Sequence, residues 1–142
     1  MSHTLSPASA PAQAPTRLRS RVATVAGVSL VLNLLVWGLA RLVGADFDVT
    51  RPGAGPMTVG PVMVAVMTVI PVALGGALTW FLGRTRPRAV TALAWVGLAI
   101  GLLTVPMPFT VEASATTQTA LAAMHVVTGV VWWILLRRAV VR

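Results

Sequence analysis

The sequence predicts an all-α integral membrane protein, a four-helix bundle with up-down topology. Of its 142 residues, 56% are hydrophobic and only 10% are charged, and the mean hydropathy is +0.85. A soluble domain carries about 25% charged residues, so the surplus of apolar residues must face lipid rather than water. The apolar residues form four runs of about 18 to 25 residues, the length that crosses a bilayer core of about 30 Å as a helix. Irregular backbone cannot face hydrocarbon, so each run is predicted to be helical.

The N-terminal part of the chain has a different composition. Residues 1–16 are a low-complexity run of Ala, Pro, Ser and Gln, predicted to be a disordered cytoplasmic tail. The membrane domain occupies residues 17–142, and its first helix is predicted over about residues 22–43. Three arginines precede this helix, as they would in a signal peptide. The apolar region of a signal peptide spans only about 7–15 residues, and this one is longer, so we expect a retained helix.

The three remaining helices are predicted over about residues 58–82, 86–105 and 119–136. Pro and Gly turn signals mark the loop before the first of them, and Pro106 ends the second. Pro71 lies in the middle of its helix and leaves one backbone carbonyl without a donor, so a bend is expected there. A static kink and a functional hinge are both compatible with this pattern.

Arginines are distributed unevenly between the two sides of the predicted bundle. All basic residues of the chain are arginines, and all except Arg41 and Arg51 fall on one side. The nine on that side are Arg17, Arg19, Arg21, Arg84, Arg86, Arg88, Arg137, Arg138 and Arg142. The three acids, Asp46, Asp48 and Glu112, lie on the other side. The positive-inside rule therefore predicts a multi-pass protein of the cell membrane with both termini in the cytoplasm.

The positive charge does not indicate a nucleic-acid-binding protein. The arginines lie in short clusters between apolar runs, a pattern typical of topology signals rather than of a binding face. The chain has no cysteine, which excludes disulfides and cysteine-based metal sites. As a metal or haem ligand, His125 would need a second ligand, and the only other histidine is His3 in the tail. We therefore expect no metal site and no cofactor.

Polar residues recur on one face of the first helix. Ser29, Asn33, Trp37 and Arg41 are spaced by four, so they lie above one another along the helix. Lipid is a hostile environment for such a stripe, which is expected to face the bundle interior. Two roles are open for Asn33: a structural hydrogen bond to a neighbouring helix, and a site for a solute or an ion.

His125 and Thr128 likewise share a face of the fourth helix. Counted from the helix ends, Trp37 and His125 lie about 9 Å deep, and Asn33 and Thr128 lie about 14 Å deep. These matching levels predict a polar cluster of Asn33, His125 and Thr128, with Trp37 packed against it. Arg41 lies one turn further out and is expected to pair with a carboxylate of the outer loops.

Gly97 and Gly101 form a Gly-x-x-x-Gly motif in the third helix. Such a motif lets a second helix backbone approach closely. The partner is expected to be another helix of the same chain, and a dimer face is the alternative. Leucine at either position should then block the approach and destabilise the protein.

Several short motifs together resemble those of a known family. They are Asn33-x-x-x-Trp37-x-x-Ala40-Arg41, the arginine-rich turn before Trp95, Pro106-Met107-Pro108, Thr116–Thr119 and Leu121-Ala122-Ala123-Met124-His125. Over residues 17–138 the chain resembles the actinobacterial four-helix membrane proteins of domain of unknown function 6069. The resemblance implies the same architecture and supplies no activity.

These observations favour a non-catalytic bundle in the lipid bilayer that acts through self-association or through a membrane partner. A small transport or permeation unit is the alternative, and it would use the polar groups in the outer half of the bundle. An enzyme is not expected, because the spans hold no acid, no Ser/His/Asp arrangement and no paired carboxylates. The first two functions differ in whether the polar groups line a water-accessible cavity or bond one another in a dry interior.

Overall fold

The computed structural model describes residues 14–140, so the predicted disordered tail lies outside the described residues except at its last three positions. Four α-helices account for most of the described chain: α1 (Ala14–Leu42), α2 (Pro61–Gly83), α3 (Pro87–Leu103) and α4 (Ala115–Val140). Two short strands, β1 (Asp48–Thr50) and β2 (Pro56–Thr58), lie between α1 and α2, and a 3-10 helix (Met107–Thr110) precedes α4. Four helical segments are long and apolar enough to cross a membrane; three lie within α1, α2 and α4, and the remaining one runs from Arg88 through α3 to Thr110 at the end of the 3-10 helix. The all-α fold of four packed membrane-type helices is therefore confirmed.

The helices pack with neighbours running in opposite directions. Val22 near the start of α1 contacts Gly76 near the end of α2, whereas Asn33 further along α1 bonds the earlier residue Thr68. Paired contacts show the same reversal between α1 and α4 and between α3 and α4. α1 packs against both α2 and α4, and α3 packs chiefly against α4.

The two ends of the bundle differ in charge. One end, called the basic end, carries seven arginines whose side chains the structure describes: Arg19, Arg21, Arg84, Arg86, Arg88, Arg137 and Arg138. The other, called the hairpin end, carries β1, β2, the 3-10 helix and all three acidic residues. A buried apolar cluster lies near each end. The hairpin-end cluster contains Ala40, Ala45, Phe47, Val64, Ala120 and Met124, and the basic-end cluster contains Val25, Val72, Ala94, Trp132 and Leu136.

Glycine ends α1 with a tight reversal. Gly44 has φ +93°, a value that glycine adopts without steric cost. The amide of Ala45 donates to the carbonyl of Ala40 at 2.9 Å, and that of Gly44 donates to the carbonyl of Arg41 at 3.2 Å. These two bonds form a Schellman motif, which satisfies carbonyls that the helix end would otherwise leave free. The reversal directs the following chain back over the bundle.

The segment after this reversal, predicted to be a loop, contains a β-hairpin. Its antiparallel register pairs Asp48 with Thr58, Val49 with Met57 and Thr50 with Pro56. Thr50 also exchanges two backbone hydrogen bonds with Glu112, at 2.9 and 3.0 Å. The hairpin therefore ties the α1–α2 connection to the α3–α4 connection.

Two helices begin earlier than predicted. α1 starts at Ala14 rather than near residue 22, because arginine is a good helix former and Pro15 falls in the first turn, where a missing N–H costs nothing. α4 starts at Ala115 rather than near residue 119, because Ser114 caps it: the Thr117 amide donates to Ser114 Oγ at 3.4 Å.

Pro71 lies inside α2 with its ring exposed, and the helix continues through it. A bend or hinge at this position stays a prediction.

Gly97 and Gly101 face α4 within the same chain. A Cβ atom at Gly101 would lie 2.8 Å from Cα of Gly129, and one at Gly97 would overlap the indole of Trp132. The backbones of α3 and α4 are therefore in contact where Gly101 faces Gly129. The motif serves packing inside the bundle, the first of its two predicted roles.

Candidate functional site

The side-chain amide of Asn33 joins three helices near the middle of the bundle. Asn33 is 2% exposed. Its Nδ2 donates to Thr68 Oγ1 of α2 at 2.9 Å and to Thr128 Oγ1 of α4 at 3.0 Å. Thr128 in turn donates to the carbonyl of Met124 at 2.9 Å. The structure thus brings Asn33 and Thr128 together and adds Thr68. We call these three residues the polar triad.

Sequence reasoning missed Thr68, because an isolated threonine in an apolar helix usually bonds its own backbone. A signal was nevertheless present. Thr68, Gly76 and Thr79 are small residues on one buried face of α2, and small residues at helical spacing are typical of a helix–helix contact in a membrane.

Two buried oxygen atoms, one in the polar triad and one a helical turn away from it, have no hydrogen-bond partner among the described residues. They are Ser29 Oγ and Asn33 Oδ1, one turn apart on α1. A polar atom left unpaired in an apolar interior costs free energy on the order of 1–3 kcal/mol. Both oxygen atoms can therefore still accept a hydrogen bond.

His125 lies at a different interface from the one predicted. Its Nδ1 shares a hydrogen bond of 2.9 Å with Thr104 Oγ1, at the end of α3. His125 and Thr128 are three residues apart, which separates their directions around the helix axis by about 60°. This rotation is enough for Thr128 to face Asn33 while His125 bonds α3. Asn33 and Thr128 of the predicted polar cluster thus bond each other, and His125 bonds Thr104 instead of either of them.

Trp37 and Arg41 face the hairpin end rather than the polar triad. Trp37 Nε1 donates to the carbonyl of Val59 at 2.9 Å, and its ring stacks on Phe47 with centroids 5.8 Å apart. Arg41 Nη1 donates to the main-chain carbonyls of Ala45 at 3.3 Å and Asp46 at 2.9 Å. The predicted carboxylate pairing of Arg41 is thus replaced by main-chain bonds, because the reversal after α1 turns carbonyl oxygens towards the guanidinium.

Asp46 binds the start of α4. Its Oδ1 accepts hydrogen bonds from Thr117 Oγ1 at 2.9 Å and from Ser114 Oγ at 3.1 Å. The amide of Phe47 donates to the same threonine oxygen at 3.0 Å. The hydrogen bond from Thr117 is the main reason why the pKa of Asp46 is lowered. A carboxylate is also favoured here by the positive end of the α4 dipole.

Acid should weaken this attachment. A group with a lowered pKa in the folded state contributes stability above its unfolded pKa, and that contribution is lost as the pH falls through the folded pKa. Wild type should therefore melt at a higher temperature than Asp46→Asn above about pH 5. The two proteins should converge as the pH falls below the unmodified value of 3.8. Thermal unfolding in detergent across this range measures the difference, and a constant difference would contradict the role of the Asp46 charge.

The other two acids of the hairpin end each make a contact of their own. Asp48 Oδ1 accepts from Thr58 Oγ1 at 2.6 Å across the hairpin, and Glu112 is exposed and joins the hairpin through its backbone. Within residues 14–140, no three His, Asp or Glu side chains lie close enough together to hold a metal ion.

An apolar groove of about 590 Å³ runs between α1 and α4 towards the hairpin end. α4 contributes only small residues to it: Ala115, Thr116, Thr119, Ala120 and Ala123. Thr119 Oγ1 donates to the carbonyl of Ala115 at 2.8 Å, so its hydroxyl is satisfied within the helix. On the α1 side, Leu39 and Val43 line the groove and are 62% and 73% exposed. A ridge of large side chains thus lies beside a floor of small ones.

Comparison with known proteins identifies a family but no function. Neither the curated proteins nor the solved structures gave a match. A family model described as a family of unknown function, DUF6069, matches residues 12–142, which is nearly the whole chain. The protein therefore belongs to the DUF6069 family, whose function is unknown.

Proposed function

We propose that this protein is a non-catalytic membrane bundle that acts by associating within the bilayer, with a second copy of itself as the partner. The observation that carries the proposal is the groove between α1 and α4. Lipid tails are as apolar as the groove, so helices associate in a membrane through close packing rather than through the hydrophobic effect. Small residues are what such packing requires, and every groove residue of α4 is an alanine or a threonine.

The neighbouring ridge offers the complementary shape. In a two-fold dimer, the same surface of both copies meets itself, so a ridge on one copy faces a floor on the other. Leu39 and Val43 of one copy can therefore lie over Ala115, Thr119 and Ala123 of the second copy. By symmetry, Leu39 and Val43 of the second copy lie over the same three residues of the first. One surface supplies both halves of the contact.

The use of polar groups inside the bundle also supports a structural role. Nδ2 of Asn33 is shared between two threonines, and His125 is bonded to Thr104. Groups that bond one another stabilise helix packing, typically by on the order of 1 kcal/mol each in a membrane. The bundle interior thus serves chiefly to hold the helices together.

We also infer the location and orientation of the protein. Nine arginines lie on the side of the chain termini and the α2–α3 turn, against two on the other side. The positive-inside rule then places the basic end and both termini in the cytoplasm, with the hairpin end outside the cell membrane.

Filling the groove should prevent association. Ala123→Leu places three additional carbon atoms on the groove floor and should weaken dimerisation by roughly tenfold, the equivalent of about 1.4 kcal/mol. The measurement is energy transfer between labelled full-length copies in lipid vesicles, diluted stepwise with lipid. Ala99→Leu is the matched control, since it makes the same change at an exposed position of α3 and should leave association unchanged.

Two results would contradict this proposal. Wild type could stay monomeric at every ratio of protein to lipid, in which case acyl chains fill the groove. Alternatively, Ala123→Leu could associate as strongly as wild type, in which case the contact lies on another face.

One observation favours a transport or permeation unit as a second candidate. Ser29 Oγ and Asn33 Oδ1 are buried acceptors without a partner among the described residues, and polar groups inside membrane bundles often mark solute paths. Vesicles containing the protein would then pass small polar solutes faster than protein-free vesicles, and Asn33→Leu would remove the difference. Equal permeability of the two kinds of vesicle would exclude this candidate for the solutes tried.

A further inference from the structure

The arginines of the basic end have no acidic partner in the chain. The full sequence contains only three acidic residues, and Asp46, Asp48 and Glu112 all lie at the hairpin end. Two ends of a membrane-spanning bundle are separated by about the bilayer thickness of 30 Å, which is well beyond the Debye length of about 8 Å at physiological ionic strength. No Asp or Glu side chain of the sequence therefore balances the arginines of the basic end.

Two of these arginines share one tryptophan ring. The guanidinium carbons of Arg19 on α1 and Arg84 after α2 each lie 4.7 Å from the centroid of the Trp80 ring. Cations are attracted to the face of an indole ring, which holds both guanidinium groups beside it. Their separation cannot exceed the sum of these two distances, so two like charges are kept close together. The positive-inside rule accounts for arginines at this end, but it does not account for two of them on one ring.

The N–H donors of this pair have no hydrogen-bond partner among the described residues. Arg21, by comparison, donates to the carbonyl of Leu135 at 3.3 Å. Neither Arg19 nor Arg84 donates to another described residue, and both are exposed. A guanidinium presents a planar set of N–H donors that matches the oxygens of a phosphate group. Two such groups beside one ring therefore offer two sets of these donors to an anion at this place on the bundle.

The position of the pair along the bundle identifies the source of the phosphate. The membrane-type segment of α1 begins at Leu18 and that of α2 ends at Gly83, so Arg19 and Arg84 lie at the border of the apolar region. Tryptophan is typical of the same level, where lipid headgroups lie. Phe81, next to Trp80, is 66% exposed and offers an apolar surface to an acyl chain.

We propose that Arg19 and Arg84, positioned on Trp80, bind the phosphate group of an anionic phospholipid. The lipid supplies the missing negative charge and contacts α1 and α2 together where both enter the membrane. This site is independent of the groove between α1 and α4.

The test titrates the detergent-solubilised full chain with phosphatidylglycerol, and counts bound lipid by native mass spectrometry. Parallel titrations use phosphatidylcholine, whose headgroup has no net charge, and inorganic phosphate, which has no acyl chain. Wild type should bind phosphatidylglycerol at least about tenfold more tightly than phosphatidylcholine. The double variant Arg19→Gln/Arg84→Gln should lose that preference.

The matched control is Arg86→Gln/Arg88→Gln, which removes two exposed arginines from the same end of the bundle. It should bind phosphatidylglycerol within about twofold of wild type. Thermal unfolding without added lipid should be similar for all three proteins, which separates loss of binding from loss of folding.

Three results would overturn the proposal. If both double variants lost affinity for phosphatidylglycerol equally, the lipid would be attracted by the overall positive charge of this end and not by a specific site. Equal binding of the two lipids would remove the role of the anion. If inorganic phosphate bound with the same affinity as phosphatidylglycerol and displaced it, the site would be one for a soluble phosphate rather than for a lipid.

Discussion

Gly101→Leu should destabilise the bundle by about 3 kcal/mol, because the position has no room for a side chain. A Cβ atom there would lie 2.8 Å from Cα and 3.2 Å from N of Gly129, and 3.0 Å from the carbonyl oxygen of His125. All three are backbone atoms, which cannot move aside as a flexible side chain can. α3 and α4 would have to separate, and the nearby hydrogen bond between Thr104 and His125 would be strained.

Thermal unfolding in detergent, followed by loss of helical circular dichroism, measures this effect. Gly27→Leu is the matched control, since a Cβ atom at this exposed α1 position meets nothing within 4 Å. The control should melt within a few degrees of wild type, an interval that corresponds to about 1 kcal/mol or less. If Gly101→Leu also melted with wild type, the contact between α3 and α4 would not be the one described.

Phe47→Ala should release the hairpin from the bundle, at a cost of about 3–5 kcal/mol for removing a buried phenyl ring. The ring is 1% exposed and stacks on Trp37. Its backbone has φ +59°, a value that costs a residue other than glycine on the order of 1 kcal/mol. Hydrogen bonds to Thr117 and Val59 hold the residue in this conformation.

This backbone conformation separates the two contributions at Phe47. Phe47→Gly removes the ring but also relieves the backbone, so it should be more stable than Phe47→Ala by about 1 kcal/mol. Phe109→Ala, at an exposed position of the 3-10 helix, is the control and should change stability by about 0.5 kcal/mol or less. Hydrogen exchange of the Thr50 and Val59 amides reports on the hairpin, and unchanged protection in Phe47→Ala would contradict this role of the ring.

The four helices were predictable because their apolar runs have to be helical in lipid. The ends of the helices were harder to predict. Ser114 and the threonines after it are polar and were therefore assigned to a loop, although a serine directly before a helix is a typical N-cap. The hairpin was hidden for a different reason. Its strands have three residues each, and its pairing with Glu112 joins parts of the chain that are far apart in the sequence.

Depth along a helix was predictable, whereas rotation about the helix axis was not. Asn33 and Thr128 were expected at one level and share a hydrogen bond. Trp37 and His125 were also expected at one level, yet Trp37 bonds Val59 and His125 bonds Thr104. The level follows from counting residues at 1.5 Å each, but the direction of a side chain depends on how neighbouring helices pack. That packing is set by contacts such as Gly101 with Gly129.

Labelling of single cysteines in intact cells tests most directly that the chain spans the membrane with its basic end inside. The native chain has no cysteine, so each introduced thiol is unique. Ala54→Cys in the hairpin turn and Met107→Cys in the 3-10 helix are exposed at the hairpin end, and Thr85→Cys is exposed at the basic end. An impermeant maleimide should label the first two in intact cells and should label Thr85→Cys only after the membrane is permeabilised. Labelling of Thr85→Cys in intact cells, with the other two protected, would contradict the proposed orientation.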